Sequence, residues 1–152
     1  MRKFLVLLDD SRECLNAMRF AAMRAAKSQG ASVVVLSVIP ADEIQHGFGV
    51  ADLMRAEARE RIEAHFEVFA KWMRTRQGVE PDLVIREGDA AEELLAQITL
   101  DGSIGVVVLG LSTDKTATNP VLTRLMRDPS AVPCAITLVP ADLSKERLEA
   151  IT

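Results

Sequence analysis

The apolar positions of this chain alternate between short continuous runs and longer stretches in which hydrophobic residues recur every three or four places. The runs fall at residues 4–8, 32–39, 82–85, 105–109 and 134–139. Uninterrupted runs of this kind are what parallel strands covered on both faces produce, because both sides of the pleat then meet apolar atoms. Between the first two runs, Cys14, Ala17, Met18, Ala21, Ala22 and Ala25 predict a helix over residues 12–29, with Asp10 and Glu13 as a capping box and Gly30 as the stop. A long helix is predicted over residues 52–76, with Met54, Ala58, Ile62, Phe66, Phe69, Ala70 and Met73 on one face. Its other face carries Glu57 with Arg61, Arg59 with Glu63 and Glu67 with Lys71 at four-residue spacing, the pattern of a solvated surface. Asp89 and Glu92 form a second capping box, opening a helix through Leu94, Leu95 and Ile98 that ends near Gly102. Asn119 and Pro120 suit the cap and first residue of a fourth helix containing Leu122, Leu125 and Met126.

Five strands alternating with four helices predict an α/β fold, a single doubly wound domain around a parallel sheet with helices on both faces. Residues 1–140 make up that domain. Residues 141–152 form a tail in which Leu143, Arg147, Leu148 and Ile151 have helical spacing, expected to be a loosely held appendage. The connection at residues 40–51, containing His46, Gly47, Phe48 and Gly49, is long enough to cover something.

Composition narrows the function classes. At 152 residues, 49% hydrophobic and 26% charged, the chain can bury a core without disulfides and reads as soluble and globular. A net charge of -4, with the basic residues of the longest helix interleaved with glutamates, argues against a nucleic-acid partner. The opening MRKFLVLLDD imitates a secretory signal, but Asp9 and Asp10 end its apolar run early. No segment approaches the roughly 18 apolar residues a membrane span needs. The expectation is a cytoplasmic protein with no membrane partner. Cys14 and Cys134 form no CxxC pair, so they read as small buried hydrophobes, and no metal site is indicated.

In an open parallel sheet, ligands bind beyond the carboxyl ends of the strands, where the winding reverses. The residues to inspect are therefore Asp9-Asp10-Ser11, Val38-Ile39-Pro40, Glu87-Gly88-Asp89 and Gly110-Leu111-Ser112-Thr113. These segments resemble the universal stress protein family. FLVLLDDSRECLNAMRFAA is similar to that family's first strand and helix, where an aspartate ends the strand and a serine follows two residues later. VIREGDAAEELLAQI resembles its third strand and following helix, IGVVVLG its fourth strand, and AVPCAITLVP its last. The resemblance implies a five-stranded parallel sheet of order 3-2-1-4-5, assembly into dimers and, in many members, ATP binding. It also implies that Asp9 contacts the nucleoside and that the backbone of Val38 meets the adenine edge.

ATP-binding members carry Gly-x-x-Gly, nine residues, then Gly-Ser or Gly-Thr after the fourth strand. Gly110 matches the first glycine, but Thr113 stands at the second, and Thr123 with Arg124 at the final pair. If position 113 requires a left-handed backbone, threonine costs on the order of 1–2 kcal/mol there, about a tenfold loss of affinity. Its side chain also fills the space through which a glycine backbone approaches phosphate. Against this, Ser112, Thr113, Thr116 and Thr118 offer donors and Lys115 offers charge. The tentative ligand set is thus Asp9, Ser11, Val38, Gly110, Ser112, Thr113, Lys115 and Thr116, for ATP, AMP or another anion.

Plainer readings compete at each position. The hydroxyl-rich loop also reads as a polar surface turn whose residues bond their own backbone. Asp10 reads as a helix cap, and Asp9 equally as a polar group at a strand end. A receiver-domain reading of the aspartate pair fails, because the third strand runs into Arg86-Glu87-Gly88 and the fifth into Val139-Pro140, with neither the phosphoacceptor nor the lysine it needs. His65 reads as packing, and no motif supplies a catalytic triad or a Cys-His pair, so no catalytic residue is assigned. A dimeric scaffold without nucleotide is the alternative function; slow nucleotide hydrolysis ranks last. The last strand lies at a sheet edge in the implied order and carries no charge over residues 134–139. That predicts a homodimer paired through Ala135, Ile136, Thr137, Leu138 and Val139.

Overall fold

The computed structural model describes every residue except Met1, Gln45, His46 and Phe48. His46 and Phe48, with any covering role for the segment they belong to, lie outside the described residues. The strands are β1 (Lys3–Leu7), β2 (Ser32–Ile39), β3 (Asp82–Glu87), β4 (Ile104–Leu111) and β5 (Ala135–Pro140). The helices are α1 (Cys14–Lys27), α2 (Val50–Trp72), α3 (Ala90–Leu100), α4 (Pro120–Arg127) and α5 (Lys145–Ile151). All strands are parallel, in the order β3-β2-β1-β4-β5. This is the doubly wound fold and strand order expected from the sequence.

Alternate residues of each strand feed opposite layers, as the pleat dictates. Phe4, Val6, Leu8, Val33, Val35 and Val108 pack against α1, against Ile62, Phe66 and Phe69 of α2, and against Leu148 of α5. Leu5, Val34, Leu36, Val107 and Leu109 pack against Leu94 and Ile98 of α3 and Leu125 of α4. The small residues Ala17, Ala21, Ala22 and Ala25 let α1 lie close on the sheet centre. At its far end α2 widens into a π-type turn (Met73–Gln77) and stops at Gly78, whose φ of 66° is the left-handed geometry that glycine tolerates best.

Several local expectations are corrected. Asp10 does not cap α1: the helix starts at Cys14 behind Glu13, which makes no side-chain cap hydrogen bond. The preceding carboxylate, Asp9, accepts from the Ser11 amide at 2.9 Å and from the Ser11 hydroxyl, so a tight local turn delays the helix. Asp89 does cap α3, accepting from the Glu92 amide at 3.0 Å, but Glu92 reaches to Arg124 of α4 at 2.9 Å instead of closing the box. Along α2 none of the three four-residue pairs comes within ion-pair distance among the described residues. Arg55 instead grips Glu87 at the end of β3 in two-pronged fashion, at 2.8 and 3.1 Å, and Arg74 bonds Glu67 and Glu80. β3 extends two residues beyond the apolar run, to Glu87, because Arg86 is satisfied by Glu93 at 2.9 Å and Glu87 by Arg55.

The tail is helical and firmly docked rather than loosely held. Leu148 is fully buried on α1, and Ser144 caps α5 by accepting from the Arg147 amide at 3.1 Å. The buried Asn16 of α1 points its amide nitrogen at three carbonyls, those of Pro140, Ala141 and Leu143, at 3.1, 3.0 and 3.0 Å. This clasp fixes the turn between β5 and α5, and Arg24 donates to the Thr152 carbonyl at 3.0 Å. Replacing Asn16 with alanine removes the donor these half-buried carbonyls share; urea denaturation is expected to show a loss of about 1–3 kcal/mol.

Candidate functional site

β1 lies at the centre of the sheet, and its chain leaves the core at the point where β1 and β4 part company, the switch point of the winding. The amide of Leu8 donates to Leu36 at 2.8 Å, and the buried hydroxyl of Ser37 donates to the Leu8 carbonyl at 3.1 Å. These bonds hold the strand end rigidly just before Asp9. The Asp9 side chain stands where two crevices meet.

The larger crevice, about 480 Å³, opens between the ends of β1 and β2 and the helix α2. Asp9, Asp10, Val38 and Glu43 line one side, and Ala58, Arg61, Ile62 and His65 the other. His65 packs on Phe69 with ring centroids 5.4 Å apart. Ile44 anchors the turn after β2 by burying itself against Ile39 and Ala58. The smaller crevice, about 140 Å³, runs between the first turn of α1 and the end of β4. Asp9, Ser11, Glu13, Cys14, Gly110, Thr118 and Asn119 are among its walls.

Of the residues singled out from the sequence, Asp9 thus borders both crevices, Val38 the larger, and Ser11 and Gly110 the smaller. Ser112, Thr113, Lys115 and Thr116 line neither, and the loop's own chemistry gives the reason. The Ser112 hydroxyl accepts from the Asp114 amide at 3.2 Å, and Asp114 accepts from the amide and hydroxyl of Thr116 at 2.9 and 2.8 Å. Those Thr116 bonds, the amide's first, hold the Asp114 carboxyl below its ordinary range. Thr113 donates to Asp142 beyond β5, and Arg12 pairs with the same carboxylate at 2.8 Å. Lys115 is exposed.

Asn119 closes the loop at its base. Its amide nitrogen donates to the Gly110 carbonyl at 3.4 Å while its oxygen accepts from the Leu122 amide at 3.0 Å. The Thr123 amide bonds the Asn119 carbonyl at 2.9 Å, and Pro120 has no N–H, so the start of α4 keeps few donors for an anion. Gly110 has its own reason to be glycine: a Cβ there would meet the Glu13 carbonyl oxygen at 2.5 Å. The end of β4 and the residue that precedes α1 are in close backbone contact at that point.

Sequence reasoning missed Glu13, Glu43 and Arg61 as crevice residues, and Asp142 as the anchor of Thr113. Helical spacing offered one signal, since Ala58, Ile62 and His65 share a border that also carries Arg61. Cys14, on the floor of the smaller crevice, donates to the Leu7 carbonyl at 3.5 Å, and burial pushes its thiol up to about 12. Among the described residues no group of three histidines, cysteines or carboxylates is placed to hold a metal ion. No helix among them is long and apolar enough to cross a membrane.

Fold and crevices together define a doubly wound α/β protein with two crevices at the switch point of its sheet. The chain belongs to the universal stress protein family, whose model matches residues 1–118. Among solved structures it is similar to the universal stress protein UspA from Lactobacillus plantarum, at 20% identity and a TM-score of 0.72, over 91% of this chain and 97% of that one. A family member from Burkholderia pseudomallei is 24% identical, with a TM-score of 0.61 and coverage of 91% and 95%. One from Archaeoglobus fulgidus in complex with dAMP is 17% identical, with a TM-score of 0.61 and coverage of 91% and 98%. The same fold was solved with cAMP in one further case and with AMP in an Arabidopsis thaliana protein, at TM-scores of 0.63 and 0.54. No curated protein matches the chain.

The contact at Gly110 is directly testable. Gly110→Ala forces β4 away from α1, and thermal unfolding is expected to show a destabilisation of about 1–3 kcal/mol even though the added group is a single methyl.

Proposed function

We propose that this protein is a ligand-responsive stress protein that holds the nucleoside half of an adenine compound between Asp9 and the backbone of Val38, and acts by interaction without turnover. The position of Asp9, at the junction of both crevices and at the end of the central strand, carries the reading. The dAMP, cAMP and AMP complexes of the relatives support an adenine ligand. A tight triphosphate grip is disfavoured, because the smaller crevice is only about 140 Å³ and the amides of Asp114 and Thr116, with the Thr116 hydroxyl, donate within the β4–α4 loop. In this reading Ser11 and Gly110 shape the site, while Ser112, Thr113, Lys115 and Thr116 keep the loop turned away from it.

The protein works as a cytoplasmic homodimer. β5 is an edge strand whose residues Ala135 and Leu138 are exposed, while Ile136 and Val139 point into the two core layers. An unpaired, uncharged edge invites a second copy, with Thr137 completing the paired segment. Sedimentation at micromolar concentration is expected to give a dimer that Leu138→Lys converts to monomer; a monomeric parent chain refutes this part.

For the ligand, calorimetry with adenine compounds is expected to detect binding that falls about tenfold or more in Asp9→Ala, since the lost acceptor is charged. A second reading, a dimeric scaffold without nucleotide, is favoured by the link from Thr113 to Asp142, which holds Thr113 off both crevices; silence with every adenine ligand would select it.

A further inference from the structure

Taken together, the walls of the two crevices are unlike a phosphate cradle. Four carboxylates border them: Asp9 and Asp10 after β1, Glu13 at the head of α1, and Glu43 in the turn after β2. Among these lining residues the only permanent cation is Arg61, one helical turn before His65. Two arginines nearby in sequence are held elsewhere, Arg12 by Asp142 at 2.8 Å and Arg124 by Glu92 at 2.9 Å. At Gly110 the Glu13 carbonyl lies where a Cβ would stand. Charge and cationic donors are thus both unfavourable to a phosphate.

The same walls suit a nucleoside. Asp9 Oδ1 is taken by the Ser11 amide and hydroxyl, whereas among the described residues no hydrogen bond forms on Oδ2, which is left to accept from a ribose hydroxyl. The larger crevice, at about 480 Å³, is of the size that small-molecule sites occupy, and its apolar members Ala58 and Ile62 offer a surface for a base. Carboxylates accept from hydroxyl and amino donors but repel phosphate oxygens; with Asp9, Asp10 and Glu43 exposed and Glu13 half-buried, that repulsion is felt most at low ionic strength.

Resting on the adenine reading above, we propose that the carboxylate wall filters ligands by charge, so that the crevice takes the uncharged nucleoside, adenosine, in preference to AMP and ATP. The selection is made by repulsion as much as by fit.

Isothermal titration of the full chain with adenosine, AMP and ATP at low ionic strength tests this. Adenosine is expected to bind about tenfold more tightly than AMP, with ATP weaker still. The gap narrows as salt is raised to about 0.5 M, where charges are screened over a few ångströms. Glu13→Gln, which keeps the side chain's shape and disturbs no cap hydrogen bond, is expected to raise the ratio of AMP to adenosine affinity several-fold. Glu43→Gln gives a second, independent variant with the same expected direction. AMP binding at least as tightly as adenosine, or a gap indifferent to salt and to both substitutions, overturns the filter and leaves the adenine reading intact. Silence with all three ligands overturns both.

Discussion

The central strand is hydrogen-bonded on each side and covered on each face, so a charge can enter the chain only where the strand ends. An unpaired carboxylate within Lys3–Leu7 would face the core, where burying an ion is costly. The first acidic side chains therefore follow Leu8, where β1 and β4 diverge. Switch-point geometry and the dielectric boundary of the sheet select the same two residues, Asp9 and Asp10. The bonds from Ser37 and Leu36 to Leu8 keep that boundary sharp.

Beside this fixed point Asn119 pins the base of the β4–α4 loop to Gly110, and Thr113 leans on Asp142 beyond β5. The hydroxyls of Ser112 and Thr116 serve the loop's own fold, while Thr118 borders the smaller crevice. Gly110 is shared between two explanations that predict different neighbours, a phosphate or the backbone of Glu13. In the folded chain the neighbour is Glu13.

Strands, helices and layering were legible because they rest on local patterns: apolar runs for doubly covered strands, helical spacing for α1 to α4, and Asn119-Pro120 for a helix start, whereas the strand order came only with the family resemblance. The competition between Asp9 and Asp10 for the turn before α1 was not, since capping rules treat both as suitable and only the Ser11 bonds decide. The clasp of Asn16 and the pairing of Thr113 with Asp142 join residues 124 and 29 positions apart or more, beyond any periodic signal. The contact between Glu13 and Gly110 left a faint trace, a glycine inside an otherwise apolar strand, which marks close backbone approach. The walls contributed by α2 were half visible: its apolar stripe was read, but Arg61 at the stripe's border was assigned to solvent and His65 to packing.

Cys14 sits beneath the crevice, where a reactive sulfur would be well placed to report on oxidants. Its thiol is raised to about 12 by burial, and burial raises that of Cys134 as well. Oxidants attack thiolate, and at neutral pH these sulfurs keep their protons. The fold thus disfavours the thiolate at both positions, more strongly at the buried Cys14 than at the half-buried Cys134.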